Sequence, residues 1–93
     1  MEKVILNYRV IVKSDRRVNT NEKCYTAFCP TLDIVDDGVT LDEALANIQE
    51  GIQCYIEALV KEGKKIPPPD NTEEGVVTGV KISLTEQPHF LPL

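Results

Sequence analysis

The first candidates for chemistry are the acidic residues between Cys24 and Val60. This stretch contains no Lys or Arg, whereas it carries seven carboxylates, at Asp33, Asp36, Asp37, Asp42, Glu43, Glu50 and Glu57. Two-metal catalysis needs carboxylates from separate elements that converge on the ions. Three of these acids are neighbours in sequence, but an acidic cluster in a turn is more often solvated than metal-loaded. We therefore expect neither a metal site nor a cofactor site here.

The three cysteines and the single histidine do not form a predicted site either. Cys24 and Cys29 are five positions apart on one predicted strand, so their side chains point to opposite faces and cannot share a zinc ion. His89 lies near the C-terminus, and without an ordered histidine there is no nucleophilic triad. Three cysteines in apolar patterns are typical of buried or semi-buried thiols in a reducing cytoplasm. We expect no catalytic residue, and a protein that is not an enzyme.

The distribution of charge favours a basic partner. The formal net charge of −5 divides into −7 for residues 24–60 and +2 for the rest. A surface of this sign repels phosphates and attracts a basic protein, so direct binding of nucleic acid is not expected. A second interpretation stays open, in which the acids only form a solvated surface that keeps a small protein soluble.

Four strands and one helix must position these residues. Alternation of apolar and polar residues predicts strands over Lys3 to Lys13, Lys23 to Cys29, Leu32 to Asp36 and Val76 to Leu84. A polar hairpin loop is predicted over Ser14 to Glu22, and the third strand is predicted to lie at an edge of the sheet. Pro30 ends the second strand because it cannot donate to a ladder, and Asp36-Asp37-Gly38 predicts a turn.

A helix is predicted from Leu41 to Glu62. Thr40 and Glu43 form a capping box at its start, and Gly63 marks its end. One apolar stripe is predicted to face the sheet, formed by Leu41, Leu45, Ile48, Ile52, Tyr55 and Leu59. Lys64 to Asp70, with three prolines, predicts an extended connector.

The element order β-β-β-α-β predicts an α+β fold, in which one long helix covers one face of an antiparallel three-stranded meander and a fourth strand follows. The opposite face stays open, lined by Ile5, Ile11 and either the Tyr25/Ala27/Cys29 or the Cys24/Phe28 set. A chain of 93 residues buries only roughly 60–65% of its unfolded surface. A small core and an apolar open face predict a homo-oligomer, most simply a dimer.

Three motifs in a fixed order resemble a known family. Residues 25–30 match Y-x-A-x-C-P, residues 38–44 match G-x-T-x-x-E-A, and residues 66–69 match I-P-x-P. Together they resemble the N-terminal domain of HicB, the antitoxin half of HicB/HicA toxin–antitoxin pairs, over about Lys3 to Leu84. The resemblance implies a truncated ribonuclease-H-like fold, with a HicB-like domain over residues 1–86 and a short tail over 87–93.

The resemblance also implies a partner. The toxin of this family, HicA, is a small basic ribonuclease with a fold like that of double-stranded-RNA-binding domains, and the HicB domain binds it and blocks access to RNA. The residues expected to bind such a partner are Asp33, Asp36, Asp37 and Glu43, together with Tyr25 and Phe28. Many HicB proteins continue into an operator-binding domain, whereas only nine residues follow Leu84, so we do not expect DNA binding.

Two alternative functions compete with this one. Ribonuclease-H-like enzymes hold two metal ions with carboxylates from the first strand, the helix and a later strand. Here the first strand offers Asn7 and the fourth offers no acid, which leaves Glu43 or Glu50 alone and argues against a nuclease. The other alternative is an oligomeric adaptor or small-ligand-binding module without a toxin. No apolar run reaches the ~20 residues of a membrane helix, and no signal peptide is evident, so we expect a cytoplasmic protein.

Overall fold

A computed structural model describes residues 4–20, 22–70 and 78–92. The elements are β1 (Val4–Arg16), β2 (Lys23–Cys29), β3 (Ile34–Gly38), α1 (Leu41–Lys61) and β4 (Thr78–Leu84). They form one four-stranded sheet in the order β3-β2-β1-β4, in which all neighbouring strands are antiparallel. The predicted α+β fold and its β-β-β-α-β order are confirmed.

Alternation along the strands gives the sheet two different faces. On the helix-covered face, the buried residues are Leu6, Tyr8 and Val10 of β1, Ala27 and Cys29 of β2, and Val80, Ile82 and Leu84 of β4. The opposite face, called the open face below, carries Ile5, Asn7, Arg9, Ile11 and Lys13 of β1, Cys24, Thr26 and Phe28 of β2, Val35 and Asp37 of β3, and Lys81 and Ser83 of β4. Of the two sets predicted for this face, Cys24/Phe28 is therefore the correct one.

Two predicted strands have different bounds. β1 continues to Arg16, because Ser14, Asp15 and Arg16 keep pairing with β2 although they are polar. β3 begins at Ile34 and ends at Gly38, so the turn predicted at Asp36-Asp37-Gly38 is wrong. The actual turn precedes β3, where Asp33 adopts a left-handed conformation with φ of 55°. Residues 3, 76 and 77, at the predicted strand ends, lie outside the described residues.

The start of α1 is confirmed in detail. The backbone N–H of Glu43 donates to the Thr40 hydroxyl at 3.1 Å, which is the predicted cap. The Glu43 carboxylate accepts a hydrogen bond at 3.2 Å from the N–H of Val39 rather than from that of Thr40. Both side chains of the capping box therefore satisfy donors at the helix start that lack a partner within the helix.

The buried stripe of α1 differs from the predicted one. Four residues at intervals of four are buried, namely Ala44, Ile48, Ile52 and Ile56. Leu41 and Tyr55 are 45% and 43% exposed, although the spacing predicts both in the stripe. Because the helix has 3.6 residues per turn, residues four apart are not aligned along its axis, and the buried stripe winds slowly around the helix. Leu41 and Tyr55 lie beside this winding stripe and not on it.

Gly38 lets the helix start against the sheet. A Cβ atom on this residue would overlap the backbone nitrogen of Ala44 and lie 2.9 Å from its Cα, and neither backbone atom can rotate away. The last residue of β3 must therefore be glycine if the first turn of α1 is to pack at this distance.

The end of α1 and the connector after it are tied to the sheet. Gly63, with φ of 70°, closes a Schellman motif in which the Lys64 N–H donates to the Leu59 carbonyl oxygen. Farther along, the Tyr8 hydroxyl donates to the Pro67 carbonyl oxygen at 2.8 Å. The backbone of Ile66 bonds to the C-terminal segment on both sides, at His89 and Leu91.

Asp70 takes the place of a strand beside β1. Its N–H donates to the Asn7 carbonyl oxygen at 2.9 Å, and its carboxylate accepts from the Arg9 N–H at 2.8 Å. The Thr31 hydroxyl donates to the same carboxylate at 2.7 Å. The connector thus bonds to backbone groups of β1 beyond the end of its pairing with β2.

We predict that Gly38→Ala destabilises the protein by at least about 2 kcal/mol, because the new methyl group would displace the start of α1. The matched control is Gly51→Ala in the middle of α1, where the added Cβ meets only a side-chain oxygen of Asp36 at 3.9 Å. That variant should gain about 0.5–1 kcal/mol from helix propensity. Urea unfolding of both variants checks the prediction, and equal stabilities would contradict it.

We also predict that Thr40→Ala lowers the free energy of unfolding by about 1 kcal/mol, since the N–H of Glu43 loses its acceptor. Thr40→Ser keeps the hydroxyl and should stay within a few tenths of a kcal/mol of the wild type. Thermal unfolding followed by circular dichroism measures both. If the alanine and serine variants melted at the same temperature, the cap would contribute nothing.

Candidate partner-binding surfaces

The acidic stretch of the sequence folds into β3 and α1, and its carboxylates fall into two groups. One group lies at the sheet edge and contains Asp33, Asp36 and Asp37. The other, called the acidic helix surface below, contains the exposed residues Asp42, Glu43, Glu50 and Glu57. Glu43, Glu50 and Glu57 are seven residues apart, so they lie on one side of the helix, away from its buried stripe.

The three acids at the sheet edge have different environments. Asp33 is exposed in the turn before β3. Asp36 is half-buried on the helix-covered face beside Gly51, and its carboxylate accepts a hydrogen bond at 2.9 Å from the Asp37 N–H. Asp37 is exposed on the open face, 3.8 Å from the Arg17 guanidinium. Asp36 and Asp37, both expected to bind a partner, therefore lie on opposite faces of the sheet, because successive strand residues point in opposite directions.

Glu43 also has a structural role that limits its use in binding. Its carboxylate accepts the Val39 N–H, so replacing it would disturb the start of α1 as well as the surface charge. Glu50 and Glu57, farther along the helix, take no part in the helix start, and Glu57 accepts a hydrogen bond from the Gln53 amide that also bonds to Ser83. Replacing these two residues therefore changes the surface charge without disturbing the cap of α1.

The two aromatic residues expected at a partner site lie on opposite faces of the sheet. Tyr25 is half-buried, packs against the core, and has the Lys23 ammonium 5.5 Å from its ring centroid. Phe28 lies on the open face, half-buried between Ile11 on β1 and Val35 on β3. These two aromatic side chains therefore cannot form one binding site.

An apolar row crosses the open face. Ile11, Phe28 and Val35 are aligned in register on three adjacent strands, and Ile11 and Val35 are 38% and 60% exposed. Ile5, which is 57% exposed, is separated from this row along β1 by Asn7 and Arg9. Aligned apolar side chains of this kind on an exposed sheet face are typical of a protein-binding surface.

Both edges of the sheet are partly blocked by side chains of α1. At the β3 edge, the Asn47 amide donates to the Asp37 carbonyl oxygen at 2.8 Å. At the β4 edge, the Gln53 amide donates to the Ser83 carbonyl oxygen at 2.8 Å and accepts from its N–H at 3.3 Å. Gln49 donates to the Lys81 carbonyl oxygen at 3.4 Å. A strand that added at these positions would have to displace the amides.

Sequence reasoning does not identify these amides. The signal that could find them is their position: they flank the apolar stripe of a helix that lies on a narrow sheet. Asn47 lies on one flank of the stripe, and Gln49 and Gln53 lie on the other. Amide side chains at such positions can reach the backbone at a sheet edge.

Two groups that could act as nucleophiles are held in their neutral forms. Burial, with smaller contributions from the Cys29 thiol and the Asp70 carboxylate nearby, raises the pKa of Tyr8 to about 12. Burial also raises the pKa of the Cys29 thiol. Both groups therefore stay protonated near neutral pH, which suits packing rather than nucleophilic catalysis.

The remaining cysteines and the acids do not form an evident site. Cys24 and Cys29 are buried free thiols, whereas Cys54 is exposed, which corrects the expectation that all three are buried or semi-buried. Among residues 4–20, 22–70 and 78–92, no group of three or more His, Cys, Asp or Glu side chains is placed to hold a metal ion. Within the same ranges, no helix is long and apolar enough to cross a membrane.

A groove between the end of α1 and β4 has a volume of about 200 Å³. It is lined by Glu57, Val60, Lys61, Ser83, Leu84, Thr85 and Glu86. Pockets for small organic ligands usually measure about 300–1,000 Å³, so this groove is smaller than most of them.

Comparison with known proteins places the chain in a family. No protein-family model and no solved structure matches it. A UPF0150 protein of Synechocystis sp. is 38% identical over 69 residues, which cover 73% of this chain and 81% of the relative. A UPF0150 protein of Thermoplasma acidophilum is 40% identical over 70 residues, covering 74% of this chain and 93% of the relative. The chain therefore belongs to the UPF0150 family.

Proposed function

We propose that this protein is an antitoxin of the HicB type, which neutralises a small basic ribonuclease by covering the surface with which it binds RNA. The observation that carries the proposal is the acidic helix surface, which lies within residues 24–60, a stretch without Lys or Arg. The three motifs shared with HicB support the choice of partner. Membership of the UPF0150 family is compatible with it.

The charges of the helix layer and of the open face of the sheet favour the helix as the surface that binds a basic partner. The helix layer presents Asp42, Glu43, Glu50 and Glu57 to solvent. The open face instead mixes the bases Arg9, Lys13 and Lys81 with the acids Asp15 and Asp37, so its charges nearly cancel. A surface that binds phosphates is basic, so it is complementary to the acidic helix surface and not to the open face.

The acids of the surface act in this proposal by imitating the charge of RNA. A basic toxin is attracted over a distance of about one Debye length, so association is fast at low salt and slows as salt rises. Once bound, the antitoxin blocks the site because RNA and protein cannot occupy it together. No catalytic group of the antitoxin is needed.

We predict that Glu50→Lys/Glu57→Lys weakens binding to the protein of the adjacent gene by at least about fivefold at low salt, since two attractive charges on the surface become repulsive. The control is Asp15→Lys/Glu22→Lys, which makes the same change of charge on the β1–β2 hairpin. Calorimetric titration at low and moderate salt measures both. Equal affinities for wild type, variant and control, without salt dependence, would contradict the role given to the acidic helix surface.

We also predict that the protein cleaves neither single- nor double-stranded RNA when magnesium or manganese is added. In the described residues, the carboxylates of α1 have no acidic partners on the helix-covered face of β1 or β4 with which to share a metal ion. Incubation followed by gel electrophoresis checks this. Cleavage that disappeared in Glu50→Gln would overturn the proposal that the protein is not a nuclease.

A further inference from the structure

The open face has a pattern of charge that is complementary to itself. β1 presents Arg9, Ile11 and Lys13, which are basic, apolar and basic. On the other side of β2, β3 presents Val35 and Asp37. The two outer lines therefore share an apolar residue in one row and carry opposite charges, Lys13 and Asp37, in the next row, with Phe28 of β2 between them.

We propose that the open face binds a second copy of this chain, packed face to face about a two-fold axis that runs parallel to β2. Such an axis lies in the interface. It places β2 of one chain over β2 of the other, β1 over β3, and β3 over β1. A row of residues that crosses the three strands therefore meets the same row in reverse order. The contact is isologous, as in most homodimers.

The strand register fixes which residues meet in this arrangement. In one row Ile11, Phe28 and Val35 are aligned, so Phe28 packs against its own copy and Ile11 packs against Val35. In the next row Lys13, Thr26 and Asp37 are aligned, so Lys13 of each chain meets Asp37 of the other. Because of the two-fold symmetry, each contact between β1 of one chain and β3 of the other occurs twice in the dimer.

The environment of Asp37 is suited to a second cation. Within its own chain it pairs with Arg17 at 3.8 Å, and both side chains are about half exposed, at 56% and 42%. This long and solvated pair leaves the carboxylate room for Lys13 of the second copy.

The blocked edges favour the face over strand pairing as the contact. Asn47 binds Asp37 at one edge, and Gln53 and Gln49 bind Ser83 and Lys81 at the other. Adding a strand at these positions would break those hydrogen bonds. Packing on the open face breaks none of them and removes exposed Ile11 and Val35 from water.

The central experiment is an exchange of charges. Lys13→Glu alone sets a new carboxylate against Asp37 of the other chain in the homodimer, and Asp37→Lys alone sets a new ammonium group against Lys13. Each variant should raise the dimer dissociation constant by roughly tenfold or more, because two attractive pairs become repulsive. When the two variants are mixed, the heterodimer brings the two substituted side chains together as one attractive pair and keeps one native pair. Native mass spectrometry should therefore show the heterodimer in excess of both homodimers.

Sedimentation equilibrium of the wild-type chain from about 1 to 200 µM sets the reference, since a face of this size predicts a modest affinity. Lys81→Glu is the control: it makes the same charge change on β4, which lies outside the three paired strands, and should leave dimerisation unchanged. Circular dichroism verifies that every variant is folded. No toxin is present, so the result does not depend on the proposed function.

Three outcomes would overturn the proposal. The first is a monomeric wild type over the whole concentration range. The second is a dimer that both charge variants leave intact, which would place the contact elsewhere. The third is a mixture in which heterodimers form only in the statistical proportion. Preferential heterodimers together with an unaffected Lys81→Glu would establish the contact between β1 and β3.

Discussion

The packing of α1 on the sheet depends on the contact between Gly38 and Ala44. β3 ends and the helix begins within a few residues, and only a residue without a Cβ atom fits between the strand and the first turn. Because the helix starts in contact with the sheet, its side chains at every fourth position are buried from Ala44 to Ile56. The Schellman motif at Gly63 then ends the helix, and the connector returns to the sheet.

The same placement of the helix determines what the sheet offers to other molecules. Since α1 runs along the middle of one face, its flanks lie above both edges, and the amides of Asn47 and Gln53 reach the backbone there. The outer side of the helix is acidic, whereas the open face of the sheet combines an apolar row with charges of both signs. One small domain therefore presents two unlike surfaces.

The elements can be predicted from the sequence because local signals agree with one another. The capping box at Thr40 and Glu43 and the terminating Gly63 set the bounds of α1 to within one residue. The prediction for β3 is displaced because Asp-Asp-Gly is a common turn signal, and nothing local shows that Gly38 serves a helix contact instead. The choice between the two sets of β2 residues on the open face requires the pairing with β1 and β3, which periodicity alone does not give.

The candidate surfaces are less predictable for a related reason. By charge alone, Asp36, Asp37 and Glu43 form one acidic strip. In the structure, strand alternation places Asp36 and Asp37 on opposite faces of the sheet, and the Glu43 carboxylate bonds to the start of α1. Charge composition finds an acidic region, but the direction of each side chain depends on long-range packing. The blocked sheet edges depend on helix placement in the same way, so no short motif marks them.

The position of β4 has a consequence for the rate of folding. β4 pairs with β1 from Val4↔Leu84 to Val10↔Thr78, so the residues that meet are separated in sequence by β2, β3, α1 and the connector. Until this pairing forms, Leu6, Tyr8 and Val10 lack their neighbours from β4, and hairpin β1–β2 with α1 forms only part of the core. Closing so long a loop is entropically costly, so we expect this domain to fold more slowly than a helical domain of equal size.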